Sequence, residues 1–189
     1  DPGGTAAMLE DAVCFAGQGE LGCWTDGGWI SVGTPQGLPE TEVMSLALDE
    51  DGRIWVGTKD RGIYQSKVKF SDWLRRQSLR IRNGAGLATS KLFELILDES
   101  KGLPSNVVQG IEPVGRNMWI GTDRGLVRID IGPMGITALL GVKDGMPNES
   151  SFSMDYSKAS KTLWVGTNGG LAEIDPKDAK VLRVVTREH

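Results

Sequence analysis

Ile54-Trp55-Val56-Gly57-Thr58 is the stretch that decides the fold, because the chain repeats it. Met118-Trp119-Ile120-Gly121-Thr122 and Leu163-Trp164-Val165-Gly166-Thr167 are the same phrase with conservative changes. Each copy is followed by a glycine with an apolar pair and preceded by a Gly-(Leu or Met)-Pro turn. The glycines that follow are Gly62, Gly125 and Gly170, and those of the preceding turns are Gly37, Gly102 and Gly145. Such a repeat predicts one structural unit per copy.

The residues around the first copy indicate antiparallel strands. The apolar run at 43–48 ends in a turn at 49–53, residues 54–58 return, and 63–65 follow a second tight turn. Asp51-Gly52 between apolar runs is a hairpin signal. The runs are almost continuously apolar, as expected when both faces of a sheet are covered. Repeats of about 40–45 residues with this pattern predict the blades of a β-propeller.

Two further regions match the repeat only in part. Phe15-Ala16-Gly17 and Gly22-Cys23-Trp24 align with 55–57 and 62–64, which gives a worn first blade. Residues 86–99 match 37–50, but no Trp-x-Gly-Thr phrase follows them. We interpret this region as a half-blade that kept two strands. The alternative is an insertion with a short helix, which the spacing of Phe70, Trp73 and Leu74 would also suit.

The chain is therefore predicted to be all-β, a β-propeller or partial propeller of about four blades with one irregular or truncated blade. We expect one domain over 1–189. Its parts are a worn blade at 12–32, blades at 33–70, 102–140 and 141–185, and an irregular basic segment or half-blade at 67–101. Closed single-chain propellers typically have about four to eight blades. The chain is thus either a small propeller or a fragment that needs a partner to close the ring.

This pattern resembles the two-component regulator propeller repeat, best known from extracytoplasmic sensor regions of bacterial hybrid histidine kinases and often linked to glycan sensing. The resemblance covers 33–65, 102–130 and 145–175 well, 12–32 weakly and 66–101 in part. It implies propeller blades, and we expect a periplasmic, secreted or lumenal location. No segment resembles a kinase, a response regulator or a DNA-binding helix, so the resemblance implies no signalling output.

Charge narrows the class of partner. A net charge of −4 over 189 residues argues against a nucleic-acid binder, and no apolar run reaches the roughly 18 residues of a membrane helix. Residues 67–91 depart from the acidic balance, with one acid, Asp72, against seven basic residues. These are Lys67, Lys69, Arg75, Arg76, Arg80, Arg82 and Lys91. We interpret them as a segment that docks an anionic surface or another subunit; the alternative is a solvated loop or strand edge.

The sequence offers little for catalysis. The sole histidine is His189, the last residue, and the usual metalloprotease, phosphate-loop and serine-nucleophile motifs are absent. A propeller lyase or lactonase is therefore the weakest hypothesis, and we predict no catalytic residue, metal or cofactor. The acidic cluster at 49–52 is not repeated in the other copies, so a hairpin turn explains it better than a calcium site.

Loop geometry predicts a polar binding face. In an up-and-down blade alternate loops share one end, so the Gly-Leu-Pro loops and the tight turns after Gly-Thr lie together. The polar residues expected there are Glu40, Asp60, Arg61, Asn106, Asp123, Arg124, Asn148 and Asn168. They would suit a polyhydroxylated or anionic ligand, or a protein loop. Turn capping by Asp and Asn is the alternative explanation.

The cysteines and the repeated tryptophans are expected in the core. Cys14 and Cys23 face each other across the first hairpin of this alignment. They are either a buried apolar pair or, in an oxidising compartment, a disulfide. Trp55, Trp119 and Trp164 are predicted to pack between blades rather than to serve as sugar platforms.

These features predict a non-catalytic interaction module, an accessory or structural subunit that joins protein partners in a larger assembly. The alternative is an extracytoplasmic module that senses a glycan-like ligand.

Overall fold

A computed structural model describes residues 6–9 and 11–186, and within them the strands form four antiparallel four-stranded sheets. Sheet 1 contains β1 Ala6–Leu9, β2 Ala12–Ala16, β3 Leu21–Thr25 and β4 Gly28–Val32. Sheet 2 contains β5 Val43–Leu48, β6 Ile54–Thr58, β7 Ile63–Ser66 and β8 Phe93–Leu97. Sheet 3 contains β9 Val108–Val114, β10 Asn117–Thr122, β11 Gly125–Asp130 and β12 Gly135–Leu140. Sheet 4 contains β13 Ser151–Ser157, β14 Thr162–Thr167, β15 Gly170–Asp175 and β16 Lys180–Val185. The prediction of an all-β propeller fold is confirmed.

The repeated phrase lies on the second strand of sheets 2, 3 and 4. In sheets 2 and 3 its alternate residues pack against the preceding and the following sheet. Ile54 and Val56 belong to the core shared with sheet 1, whereas Trp55 lies between them in sequence and packs in the core shared with sheet 3. In sheet 3, Met118 likewise packs in the core shared with sheet 2, and Trp119 packs in the core shared with sheet 4. Because successive side chains of a strand point to opposite faces, Trp55 and Trp119 each face the following sheet.

The glycine of the phrase lets that following sheet approach closely. A Cβ on Gly121 would collide with the backbone carbonyl of Ser151, the first residue of β13. A Cβ on Gly57 would press on Val108, the first residue of β9. The first strands of consecutive sheets therefore lie side by side along the inner edge of the arc.

The other shared elements of the repeat stabilise its tight turns and fill the space between neighbouring sheets. Thr122 Oγ1 donates to the Gly125 carbonyl at 2.7 Å, which holds the tight turn after the phrase. Each Gly-(Leu or Met)-Pro turn buries its apolar residue between two sheets, and these residues are Leu38, Leu103 and Met146. The preceding glycine ends a short 3-10 turn in the left-handed region, as Gly37 does at φ 97°, where glycine alone carries no steric penalty.

The half-blade interpretation of residues 67–101 is wrong. Residues Phe70–Arg82 form a helix, α1, and β8 pairs with β7 as the fourth strand of sheet 2. The alternative, an insertion that contains a helix, is what the structure shows. The sequence match failed because a first and a fourth strand of a propeller blade carry similar apolar runs. Phe70, Trp73 and Leu74 fix α1 to the core of sheets 1 and 2.

Sheet 1 is a full sheet that begins at Ala6, before the worn blade expected at 12–32. The alignment of Phe15 with Trp55 does not hold, because Phe15 lies on the outer face and is 45% exposed. Cys14 instead packs toward sheet 2, directly opposite Cys23, with which it forms a disulfide. A one-residue difference in register exchanges the two faces of a strand.

Three cores join the sheets in sequence, between sheets 1 and 2, sheets 2 and 3, and sheets 3 and 4. No buried apolar core within 6–9 and 11–186 joins sheet 4 back to sheet 1. Trp55 and Trp119 are fully buried as predicted, whereas Trp164 on the last sheet is half-buried. The four sheets form an open arc.

Candidate functional site

The predicted loop face is built from the turns at one end of the sheets. The Gly62 amide in the β6–β7 turn donates to the Asn106 carbonyl at 3.0 Å, which ties sheet 2 to the loop before sheet 3. In the same turn Asp60 accepts a 2.6 Å hydrogen bond from Thr41 Oγ1, and Arg61 Nε lies 3.7 Å from Asp60 Oδ1. The turn of sheet 2 therefore presents an exposed arginine that is oriented by its neighbouring acid.

A second exposed arginine is held in the adjoining loops. Arg124 Nη1, in the β10–β11 turn, lies 3.6 Å from Glu99 Oε1. The Glu99 amide donates to Asn106 Oδ1 at 2.8 Å. Asp60, Arg61, Asn106, Glu99 and Arg124 form one polar array across sheets 2 and 3, named here the arginine array. Its ion pairs are solvent-exposed, so each contributes only roughly 0–1 kcal/mol to stability.

The other predicted loop-face residues lie outside the arginine array. Asn148 Oδ1 accepts from the Ser150 amide at 2.9 Å and so caps its own turn. Glu40 and Asn168 are exposed. Asp123 has a buried Oδ1 atom for which the described part of the chain supplies no hydrogen-bond donor. Within that part, no hydrogen bond or ion pair joins these four residues to the arginine array.

Sequence reasoning missed three members of this face. Glu42 and Lys59 form an ion pair at 2.9 Å, and the hydrogen bond to Glu42 raises the pKa of Lys59. Glu99 completes the arginine array from a short 3-10 turn before Gly102. Neither Glu42 nor Glu99 occupies a position that is acidic in every copy, so the repeats gave no signal for them.

Two open grooves flank the turn at 34–39, beside the loop face. One, of about 430 Å³, runs between this turn and the outer strand of sheet 2, and is lined by Tyr64, Lys91 and Leu95 among others. Partial burial raises the pKa of Tyr64 there. The other, of about 520 Å³, includes Glu40 and Leu87. The predicted face thus continues into concave surface on the side of sheets 1 and 2.

The seven residues of the predicted basic docking segment do not form one surface. Arg75, Arg76, Arg80 and Arg82 lie exposed on α1. This helix begins beside the β5–β6 turn, where the Phe70 amide donates to the Gly52 carbonyl, at the end opposite the arginine array. Lys67 and Lys69 precede α1, but Lys91 lies beside Gly37 on the outer edge of sheet 2.

A groove of about 260 Å³ separates α1 from sheet 1. Arg75 and Arg82 line one side and Asp11 and Asp26 the other, so the groove carries both signs of charge. Arg75 also pairs with Asp72 at 3.4 Å. The strongest positive character therefore belongs to the exposed side of α1 and not to this groove.

Residues 6–9 and 11–186 contain neither a helix suited to span a membrane nor a cluster suited to hold a metal ion. None of their helices has the length and apolarity required to cross a bilayer, and no three His, Cys, Asp or Glu side chains among them come together as a possible metal site. His189 lies outside the described residues.

Comparison with known proteins identifies the repeat. Residues 37–60 match the two-component regulator propeller family. This segment is similar to a two-component regulator propeller repeat. The matched segment of this propeller repeat runs from the Gly-Leu-Pro turn through β5 and the Trp55 phrase to the β6–β7 turn. No curated protein matches the chain.

Solved propellers share the fold at low identity. Two are extracellular domains of proteins designated hybrid two-component systems of B. thetaiotaomicron. One matches with a TM-score of 0.70 and 16% identity over 97% of this chain and 25% of its own. The other matches with a TM-score of 0.67 and 18% identity over 96% and 24%. The WD40 propeller domain of Doa1 matches with a TM-score of 0.66 and 10% identity over 97% and 53%. The propeller repeats of this chain therefore span about a quarter of the first two structures and half of the third.

Proposed function

We propose that this chain is a non-catalytic, ligand-sensing propeller segment that works outside the cytoplasm and binds a glycan-like ligand on its loop face. The observation that carries the proposal is the arginine array. It places two exposed guanidinium groups, Arg61 and Arg124, on neighbouring sheets, each oriented by an acid. Guanidinium groups bind carboxylates and sulfates with paired hydrogen bonds, and they also donate to sugar hydroxyls.

Two further observations support this function. The similar structures from B. thetaiotaomicron are extracellular domains of proteins designated two-component systems. The Cys14–Cys23 disulfide suits an oxidising compartment, where such bonds form and persist. Together they favour sensing outside the cytoplasm over an intracellular role.

Ligand binding would act on the two ion pairs of the array. An anionic sugar that bridges Arg61 and Arg124 replaces Asp60 and Glu99 as their partners. Because exposed pairs are worth only roughly 0–1 kcal/mol each, this exchange costs little. The ligand then links sheets 2 and 3 at their loop ends, where Asn106 already joins them.

Paired substitutions test the site. The Arg61→Ala/Arg124→Ala variant is titrated calorimetrically with purified neutral and anionic oligosaccharides, beside the wild type and Arg76→Ala/Arg82→Ala. The control removes two exposed arginines at the opposite end of the fold. We expect binding by the wild type and the control and its loss in the first variant. Equal binding by all three would move the site elsewhere, and no binding by the wild type to any oligosaccharide would contradict glycan sensing.

A second candidate is an interaction module, an accessory subunit of a larger assembly. It is favoured by α1, which is inserted in one sheet and exposes Arg76 and Arg82 without ion pairs to any described residue. Neutralising Arg75, Arg76, Arg80 and Arg82 together should then reduce the native mass of the protein in an extract of its source cells. An unchanged mass, or a wild type that migrates alone, would contradict this role.

A further inference from the structure

The free face of sheet 4 is the kind of face that elsewhere contacts a following sheet. Trp164 occupies the position of the fully buried Trp55 and Trp119, yet it is only half-buried. Leu171 and Val185 lie beside it on the same face, 46% and 45% exposed. No following sheet covers this face in the part of the chain that the structure describes.

The glycine of the same phrase gives a second sign that this face is uncovered within the described residues. A Cβ on Gly57 or Gly121 would meet the first strand of the next sheet. The nearest atoms to a Cβ on Gly166 belong to its own sheet, to Ser153 and Phe152, and none belongs to another sheet. Sheet 4 thus has the glycine that permits close approach, and no other described sheet approaches it.

The free face of sheet 1 is apolar over its whole width. Met8, Val13, Trp24 and Trp29 form one cross-strand row, and Phe15 pairs with Gly22 in the next. Met8 is 80% exposed, Trp24 60%, Trp29 53% and Phe15 45%. Contiguous exposed apolar surface of this kind marks an interaction site.

The two free faces are opposite halves of one repeating contact. Sheet 4 offers the face that receives a following sheet, and sheet 1 offers the face that receives a preceding one. Four sheets cover about half of a propeller domain, since the chain matches 53% of that of Doa1. Two such arcs placed end to end therefore span about one ring.

An arginine lies over the repeated tryptophan on the contact face of sheet 3 and on the free face of sheet 4. Between sheets 3 and 4, Arg128 lies over the Trp119 ring at 5.8 Å and donates to the carbonyls of Pro176 and Lys177, in the turn between the last two strands of sheet 4. On the free face, Arg183 lies over the Trp164 ring at 5.0 Å and forms a 2.6 Å ion pair with Glu173 of its own sheet.

We propose that a second copy of this chain completes the ring, with sheet 4 of each copy packed on sheet 1 of the other. The contact is head-to-tail, and such contacts either close into rings or grow into filaments. Because each arc supplies about half a ring, two copies close it and bury Trp164 against the apolar face of sheet 1. The proposal does not depend on ligand binding at the loop face.

Native mass tests the proposal through variants that block one face each. Sedimentation velocity of the 189-residue chain should show a species of twice its 20.4 kDa. Trp24→Glu, on sheet 1, and Leu171→Glu, on sheet 4, should each give monomer alone. Leu139→Glu is the matched control, because Leu139 is also 46% exposed but lies on sheet 3; it should leave the dimer intact.

Mixing the two blocked variants decides the geometry. Each retains one free face, and these faces are complementary, so the mixture should recover a dimer joined by one contact. A dimer of Trp24→Glu alone would mean that sheet 4 pairs with sheet 4, and a dimer of Leu171→Glu alone that sheet 1 pairs with sheet 1. Either result overturns the proposal, as would a wild type that is monomeric or that grows beyond two copies.

Discussion

Replacing Trp119 should destabilise the fold far more than replacing Trp164, although the two residues occupy the same position of the repeat. Trp119 is fully buried between sheets 3 and 4. Truncation of a buried tryptophan to alanine costs about 3–5 kcal/mol, because transfer free energy and packing are both lost. Trp164 is half-buried, so its truncation should cost roughly half as much.

The comparison is made by urea unfolding followed by far-ultraviolet circular dichroism. Both substitutions are introduced into the Trp24→Glu background, so that contact between copies does not cover Trp164. With a slope of about 2 kcal/mol per molar urea, Trp119→Ala should lower the midpoint by about 2 M and Trp164→Ala by about 1 M. Equal shifts would refute the assignment of the repeated tryptophan to the following sheet.

Three further predictions concern individual residues. Gly121→Ala should destabilise the protein by about 1–3 kcal/mol in urea unfolding, because the new Cβ meets the Ser151 carbonyl. Gly86→Ala is the control and should not destabilise the protein, because a Cβ at Gly86 meets nothing within 4 Å. Equal effects of the two substitutions would contradict the close approach of sheets 3 and 4. Replacing Cys14 and Cys23 together with alanine should cost about 2–3 kcal/mol for a bond that spans 9 residues, with a reductant-dependent intact mass in the wild type; an unchanged mass on reduction would show that the bond is absent. Burial raises the pKa of Glu112 in the folded state, so its charged form costs stability above its ordinary pKa. The melting temperatures of the wild type and of Glu112→Gln should therefore match below that pKa. As the pH rises to 7, the melting temperature of the variant should increase relative to that of the wild type. Melting temperatures that change in parallel with pH in the two proteins would contradict this.

The repeat predicted the fold because successive residues of its phrase are buried on opposite faces of one strand. Trp55 with its flanking apolar residues specifies two buried faces, and Gly57 and Thr58 specify a close neighbour and a tight turn. These are local properties of one strand and one turn. They can be recognised wherever the phrase recurs, which is why sheets 2, 3 and 4 could be placed from sequence.

Features that depend on pairing between distant segments could not be predicted in the same way. β8 belongs to sheet 2 because it pairs with β7 across the helical insertion, and its apolar run alone equally suits a first strand. Sheet 1 carries no copy of the phrase, so the sequence leaves its register ambiguous by one residue and predicts Phe15 on the wrong face. The partner of Arg124 is Glu99, at a position of the repeated 3-10 turn where the other copies have Thr34 and Val142.

Oxidative footprinting of the tryptophans tests the open arc of four sheets most directly. The dilute Trp24→Glu protein is exposed briefly to hydroxyl radicals, and oxidation at each tryptophan is quantified by mass spectrometry. The structure predicts protection of Trp55 and Trp119 and oxidation of Trp164. Equal protection of all three would mean that sheet 4 is covered within the chain itself, which would contradict the open arc.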